Sequence, residues 1–140
     1  MITTTKYNQT TISKKVTLDG VGLHTGKDVT LTFNPSEANT GYVFKRIDLK
    51  DMPLVEADIN YVSNTERGTC LNKNNVIIQT CEHVLASLVG LEIDNVLIEL
   101  NASEPPIMDG SSKFFVEALE KAGIKELDEK RKEFIVKNVI

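Results

Sequence analysis

The chain has 140 residues, 41% of them hydrophobic and 26% charged, with a formal net charge of −4; this suffices for one domain with its own core. Lys and Arg are scattered rather than gathered into a stripe, which argues against a nucleic-acid footprint. Two cysteines, Cys70 and Cys81, are too few for a secreted disulfide framework. Reduced thiols in a cytoplasm are expected instead.

Residues 1–10 are polar and Thr-rich, with no apolar h-region of a signal peptide, and are expected to be a loose leader. Thr11 to Leu18 alternates as a first strand. Gly20-Val21-Gly22-Leu23-His24-Thr25-Gly26 packs three glycines into seven residues, which predicts a turn with positive φ or a close backbone approach. Val29 to Phe33 alternates strictly as a second strand, stopped by Asn34-Pro35. Tyr42 to Ile47 is a third, and Asp48 to Pro53 is a polar loop. Gly68 to Leu71 and Val76 to Ile78 are expected to pair around the Asn-rich turn Asn72-Lys73-Asn74-Asn75.

A helix follows, with Thr80 as N-cap and Glu82 at the positive end of its dipole. Val84, Leu85, Leu88 and Val89 form its apolar face before Gly90 ends it. The mostly apolar run from Val84 to Leu91 is too short to span a bilayer, so a soluble protein without a transmembrane segment is expected. Val96 to Leu100 reads as a buried strand, broken by Glu104-Pro105-Pro106. Asp109-Gly110-Ser111-Ser112 is a turn with cap chemistry. It leads into a second helix, Lys113 to Ala122, whose Phe114, Phe115, Ala118, Leu119 and Ala122 share a face. Asp128 to Glu133 is charged at all six positions, like an exposed linker. Phe134-Ile135-Val136 begins another strand that is still forming at Ile140. The division expected is a leader at 1–10, a domain at 11–128, and a linker with the start of a second domain's first strand at 129–140.

Glu82-His83 is the pair with the most chemistry. An imidazole can hold a metal while the neighbouring carboxylate takes a proton from water that the metal activates. The order is reversed from the His-Glu-x-x-His metallopeptidase pattern, and Ser87 stands where a second His would be. The pair is therefore open to a second reading, a surface or helix-cap pair. A catalytic zinc takes about three protein ligands, and the chain has two histidines, so the site is expected to be incomplete within these residues. A zinc site from Cys70, Cys81, His83 and His24 lacks the tight Cys-x-x-Cys spacing of structural modules. His24, among its glycines, can face a ligand or bond its own loop. The turn is not a phosphate loop, because Lys27 falls outside the required spacing. In Glu104 to Ser111, Asp109 or Ser111 is expected to cap the second helix.

Taken together and in order, four motifs resemble one family. They are Gly20-Val21-Gly22-Leu23-His24-Thr25-Gly26, Thr80-x-Glu82-His83, Gly90-Leu91-x-Ile93-Asp94-Asn95 and Pro106-Ile107-Met108-Asp109-Gly110-Ser111. They look like the N-terminal half of UDP-3-O-acyl-N-acetylglucosamine deacetylase, over roughly residues 10–128. The resemblance implies a cytoplasmic zinc amidohydrolase of lipid A biosynthesis, which releases acetate and a free amine from its UDP-sugar substrate.

It also implies an α+β fold: a two-layer sandwich of a mixed, mostly antiparallel sheet with two helices on one face. This would be the first of two similar domains with the site between them. His83 would be one zinc ligand and Glu82 the general base. The remaining ligands and the general acid would belong to the C-terminal domain, so this half alone is expected to be inactive. Leu23 and His24 would lie at the acyl and sugar end of the substrate, and Thr80 and Asp109 would be structural supports. Asn64 to Cys70 aligns with a segment that lines the family's site, without assigning contacts to Arg67 or Thr69. Some relatives carry a fused 3-hydroxyacyl-acyl-carrier-protein dehydratase. The rival expectation is a non-enzymatic α+β binding module in which Glu82-His83 merely caps a helix.

Overall fold

Alternation in the sequence becomes a sheet with one apolar face. The computed structural model describes residues 1–138. At its centre, β3 (Asp28–Pro35) buries Val29, Leu31 and Phe33 and turns Thr30 and Thr32 the other way, as the two-residue period of a strand dictates. It pairs antiparallel with β9 (Val96–Leu100), setting Leu31 against Leu100 and Phe33 against Ile98. On its other side β2 (Val16–Val21) places Leu18 opposite Leu31.

β4 (Tyr42–Arg46) runs parallel to β9 with Phe44 beside Ile98, and β5 (Leu54–Glu56) closes that edge with Val55 against Phe44. The order is β2-β3-β9-β4-β5, with one parallel pairing among the described residues. The opposite face is polar. Thr17 and Thr32 share a hydrogen bond of 2.9 Å, Thr30 donates to Asp19, and Lys45 pairs with Glu99 at 3.3 Å.

Two helices cover the apolar face. α1 (Glu82–Gly90) buries Val84, Ser87 and Leu88, and α2 (Lys113–Ala122) buries Phe115, Ala118, Leu119 and Ala122. Phe115 meets Phe33 edge to face, 6.4 Å between centroids, a favoured aromatic geometry. This is the two-layer α+β arrangement expected. A small antiparallel sheet of β6 (Val62–Asn64), β7 (Cys70–Lys73) and β8 (Val76–Ile78) buries Leu71 and Ile78 against the same core. Its turn uses Asn74 and Asn75 at φ 51° and 65°, a left-handed pair that asparagine tolerates. No helix among the described residues is long and apolar enough to cross a membrane.

Four local expectations are corrected. Residues 1–10 are not loose: β1 (Ile2–Ile12) pairs antiparallel with β10 (Ile124–Phe134), from Ile2 opposite Phe134 to Ile12 opposite Ile124. The charged segment Asp128 to Glu133 therefore lies inside a strand. Its charges are tolerated because β10 is mostly exposed, and β-branched Thr and Ile favour the extended partner. The strand expected over Thr11 to Leu18 is split, because Ser13 turns away and its N–H donates to Gly123 O. Phe134 ends β10 rather than beginning a new strand, and Val139 and Ile140 lie outside the described residues.

The helix faces are also narrower than expected. Val89 is 64% exposed and Phe114 38% exposed, each one position off the buried stripe. Ser87 takes a buried place because its Oγ donates to Val84 O at 2.7 Å.

Phe33 is fully buried and holds the sheet against α2. Phe33→Ala is expected to cost about 3–5 kcal/mol in urea denaturation. Ile59→Ala, at a side chain 82% exposed, should stay within about 0.5 kcal/mol of wild type.

Candidate active site

The junction between β8 and α1 is fixed from both sides. Gln79 N donates to Ser103 O at 2.7 Å and Cys81 N to Thr69 O at 3.2 Å. Between them Thr80 adopts φ 50°, a left-handed conformation that costs a β-branched residue strain. The turn carries its hydroxyl inward, where Oγ1 donates to Glu104 Oε1 at 2.9 Å. Thr80 is therefore not the N-cap of α1. That position falls to Cys81, which makes no side-chain cap bond.

Glu82 and His83 open α1. Glu82 Oε2 accepts from Thr69 N at 2.8 Å, so the carboxylate is held from outside its own helix and does not cap it. Gly68 makes this possible. At φ 155°, a Cβ there would stand 3.2 Å from Glu82 Oε1 and 3.5 Å from Thr80 Oγ1, so a side chain would crowd the carboxylate and strain the backbone. His83 is half-buried, and its carbonyl accepts from Ser112 Oγ at 2.9 Å, tying the first turn of α1 to the start of α2. Among the described residues neither ring nitrogen of His83 has a hydrogen-bond partner, which leaves the imidazole open to a ligand.

Glu104, which drew no role from its place in the sequence, is the hub of the neighbourhood. It is fully buried and accepts from His24 N at 3.1 Å to each oxygen, from Thr25 N at 3.0 Å and from Thr80 Oγ1. Burial pushes its pKa up, but the two amides and the Thr80 hydroxyl outweigh that and hold the carboxyl below its ordinary value. Gly22 is required here, since a Cβ would come within 2.6 Å of Glu104 Oε2. The Gly-rich turn is thus a close-approach device, as its composition suggests.

His24 presents an exposed ring while its amide is tied down. It lines a cavity of about 180 Å³ together with Asn64, Arg67, Gly68, Cys70 and Thr80. Leu23 is 56% exposed nearby and does not line that cavity. Asp109 Oδ1 accepts from Ser111 N and Oγ at 3.0 and 2.7 Å, closing the turn before α2. The N-cap position of α2 is Ser112, which makes no side-chain cap bond because its Oγ donates to His83 O. Ser111 Oγ accepts instead from Lys113 N at 3.1 Å, the capping role expected of it.

Among the described residues no group of three His, Cys, Asp or Glu side chains is set to hold a metal. Cys70, Cys81, His83 and His24 therefore do not converge. Burial pushes the Cys81 thiol up to about 12, with the Glu82 charge adding to the shift. Its Sγ donates to Thr69 O at 3.2 Å, so it stays a thiol and not a metal-ligating thiolate.

Comparison with known proteins shows the family. The family model described as UDP-3-O-acyl N-acetylglycosamine deacetylase matches residues 9–140. The bifunctional enzyme LpxC/FabZ of Chlorobaculum tepidum is 47% identical over 133 residues, which is 95% of this chain and 28% of that protein. UDP-3-O-acyl-N-acetylglucosamine deacetylase of a Geobacter species is 43% identical over 94% of this chain and 43% of its own length. The protein of the same name from a Psychrobacter species is 48% identical over 84% of this chain and 40% of its own length. The chain thus spans less than half the length of these relatives.

The depressed Glu104 pKa has a definite consequence for stability. Its folded value lies below the ordinary 4.5, so its contribution is complete above that value and is lost as pH falls through the folded one. Stability in urea should hold from pH 7 to about pH 5 and decline below about pH 4.5. Glu104→Gln should remove part of that decline, and an unchanged slope would contradict it.

Proposed function

The chain belongs to the UDP-3-O-acyl N-acetylglycosamine deacetylase family, and on that premise we propose that it supplies one side of a zinc-dependent hydrolytic site. The reaction is removal of the N-acetyl group from UDP-3-O-acyl-N-acetylglucosamine in cytoplasmic lipid A biosynthesis. The observation that carries this reading is the pairing at the start of α1. Glu82 is anchored through one oxygen to Thr69 N, and the adjacent His83 imidazole has no partner among the described residues.

These residues fit one ligand and one base of a zinc site. An imidazole is a common zinc donor, and His83 would be the single ligand from this chain. The remaining ligands come from a C-terminal domain, which makes these 140 residues catalytically incomplete by themselves. Zinc, when bound, lowers the pKa of water to about 7 and polarises the acetyl carbonyl.

Glu82 then accepts the water proton. Its Oε2 is committed to the Thr69 amide, so Oε1 is the oxygen that takes it. The water oxygen bonds to the acetyl carbon, the carbon–nitrogen bond breaks, and acetate leaves. The departing amine is protonated by an acid outside this domain. His24 and Leu23 serve the substrate side, and Thr80 and Asp109 hold the frame.

The rival, a binding module in which Glu82-His83 merely caps a helix, is disfavoured by the hydrogen bonding. The N-cap is Cys81, and the Glu82 carboxylate bonds to Thr69 rather than to α1.

In the enzyme that carries this domain, His83→Ala should lose both zinc and acetate release. Glu82→Gln should keep zinc, by metal analysis, and lose about 10²–10⁴-fold in turnover. Near-normal turnover in Glu82→Gln would sink the general-base role.

A further inference from the structure

Glu104 is a buried carboxylate with no Lys, Arg or His ion-pair partner among the described residues. Removing an ion from water without a counter-charge is unfavourable unless donors surround it. A purely packing role would be served better by an apolar side chain of the same size. The donors come from two segments that form walls of one cavity: His24 and Thr25 from the Gly-rich turn, and Thr80 from the turn before α1. Thr80 is two residues ahead of Glu82. Pro105 and Pro106, both buried, follow Glu104 directly, and Ile107 N donates to Val21 O at 2.9 Å. The carboxylate is therefore attached to a stiff segment that is itself bonded to the Gly-rich turn.

We propose that Glu104 is a positioning residue: through the His24 and Thr25 amides and the Thr80 hydroxyl it fixes the His24 wall of the cavity relative to Glu82-His83. The proposal rests on the deacetylase reading and extends it, by giving the spacing between substrate contact and reacting centre a physical cause. Glu82 has its own anchor at Thr69 N. Loosening Glu104 therefore displaces the His24 wall more than the base, and substrate binding suffers more than turnover.

Glu104→Gln tests this, because the amide NH2 has the same shape but turns a donor toward donors. In the enzyme that carries this domain, KM should rise about tenfold with kcat changed less than about threefold, and zinc content unchanged. If Glu104→Gln does not fold, Thr80→Ala should raise KM and Thr80→Ser should restore it. An unchanged KM in a folded Glu104→Gln, or in Thr80→Ala, would overturn the proposal, as would equal losses in kcat and KM. A second readout needs no activity. In the 140-residue chain, hydrogen exchange at the His24 and Thr25 amides should quicken about tenfold in Glu104→Gln while Leu31 keeps its protection. Unchanged exchange there refutes the positioning role. A wild-type enzyme that releases no acetate refutes the deacetylase reading and leaves the exchange result to decide Glu104.

Discussion

A carboxylate taken out of water has to be met by donors, and at Glu104 those donors set the local backbone. Gly22 lacks a side chain because the carboxylate occupies that space. Thr80 turns left-handed so that its hydroxyl reaches inward. With Thr80 used in this way, the N-cap of α1 falls to Cys81, which makes no side-chain cap bond. Glu82 then turns to Thr69, across a Gly68 that leaves it room. One buried charge thus links the Gly-rich turn, the entrance to α1 and the Pro-rich segment after β9.

The sheet gives that knot something rigid to rest on. β3, β9 and β4 present Phe33, Ile98 and Phe44 in register on one face, and both helices pack there. Because α1 and α2 share the face, their first turns come close enough for Ser112 to bond His83 O. Arg46 does similar work at the far end of β4. It is nearly buried, chelates Asp48 with two nitrogens and donates to Ile77 O, tying the small sheet to the large one.

Local pattern made much of this legible. The alternation of Val29 to Phe33 and Val96 to Leu100, both helices and the Asn-rich turn follow from periods and turn chemistry. What failed depended on partners distant in sequence. β1 pairs with a strand more than 110 residues away, so its Thr-rich polarity read as a leader and the charges of β10 as a linker. Thr80 has the composition of an N-cap, and a tertiary bond to Glu104 overrode it. Val89 and Phe114 lie at the edges of apolar stripes, where one step of a helix separates core from solvent.

Glu82-His83 was visible as chemistry, and its motif context carried the family. Glu104 was not. A single Glu before two prolines carries no periodic signal, and its burial follows from the packing of three loops.

Zinc titration of the 140-residue chain by calorimetry at neutral pH measures how much of a metal site this domain carries. If His83 is the one ligand it contributes, as proposed, saturable binding tighter than about 10 μM is not expected, since a catalytic zinc needs about three protein ligands. One zinc bound per chain below about 1 μM, abolished by His83→Ala, would contradict the division of the site between two domains.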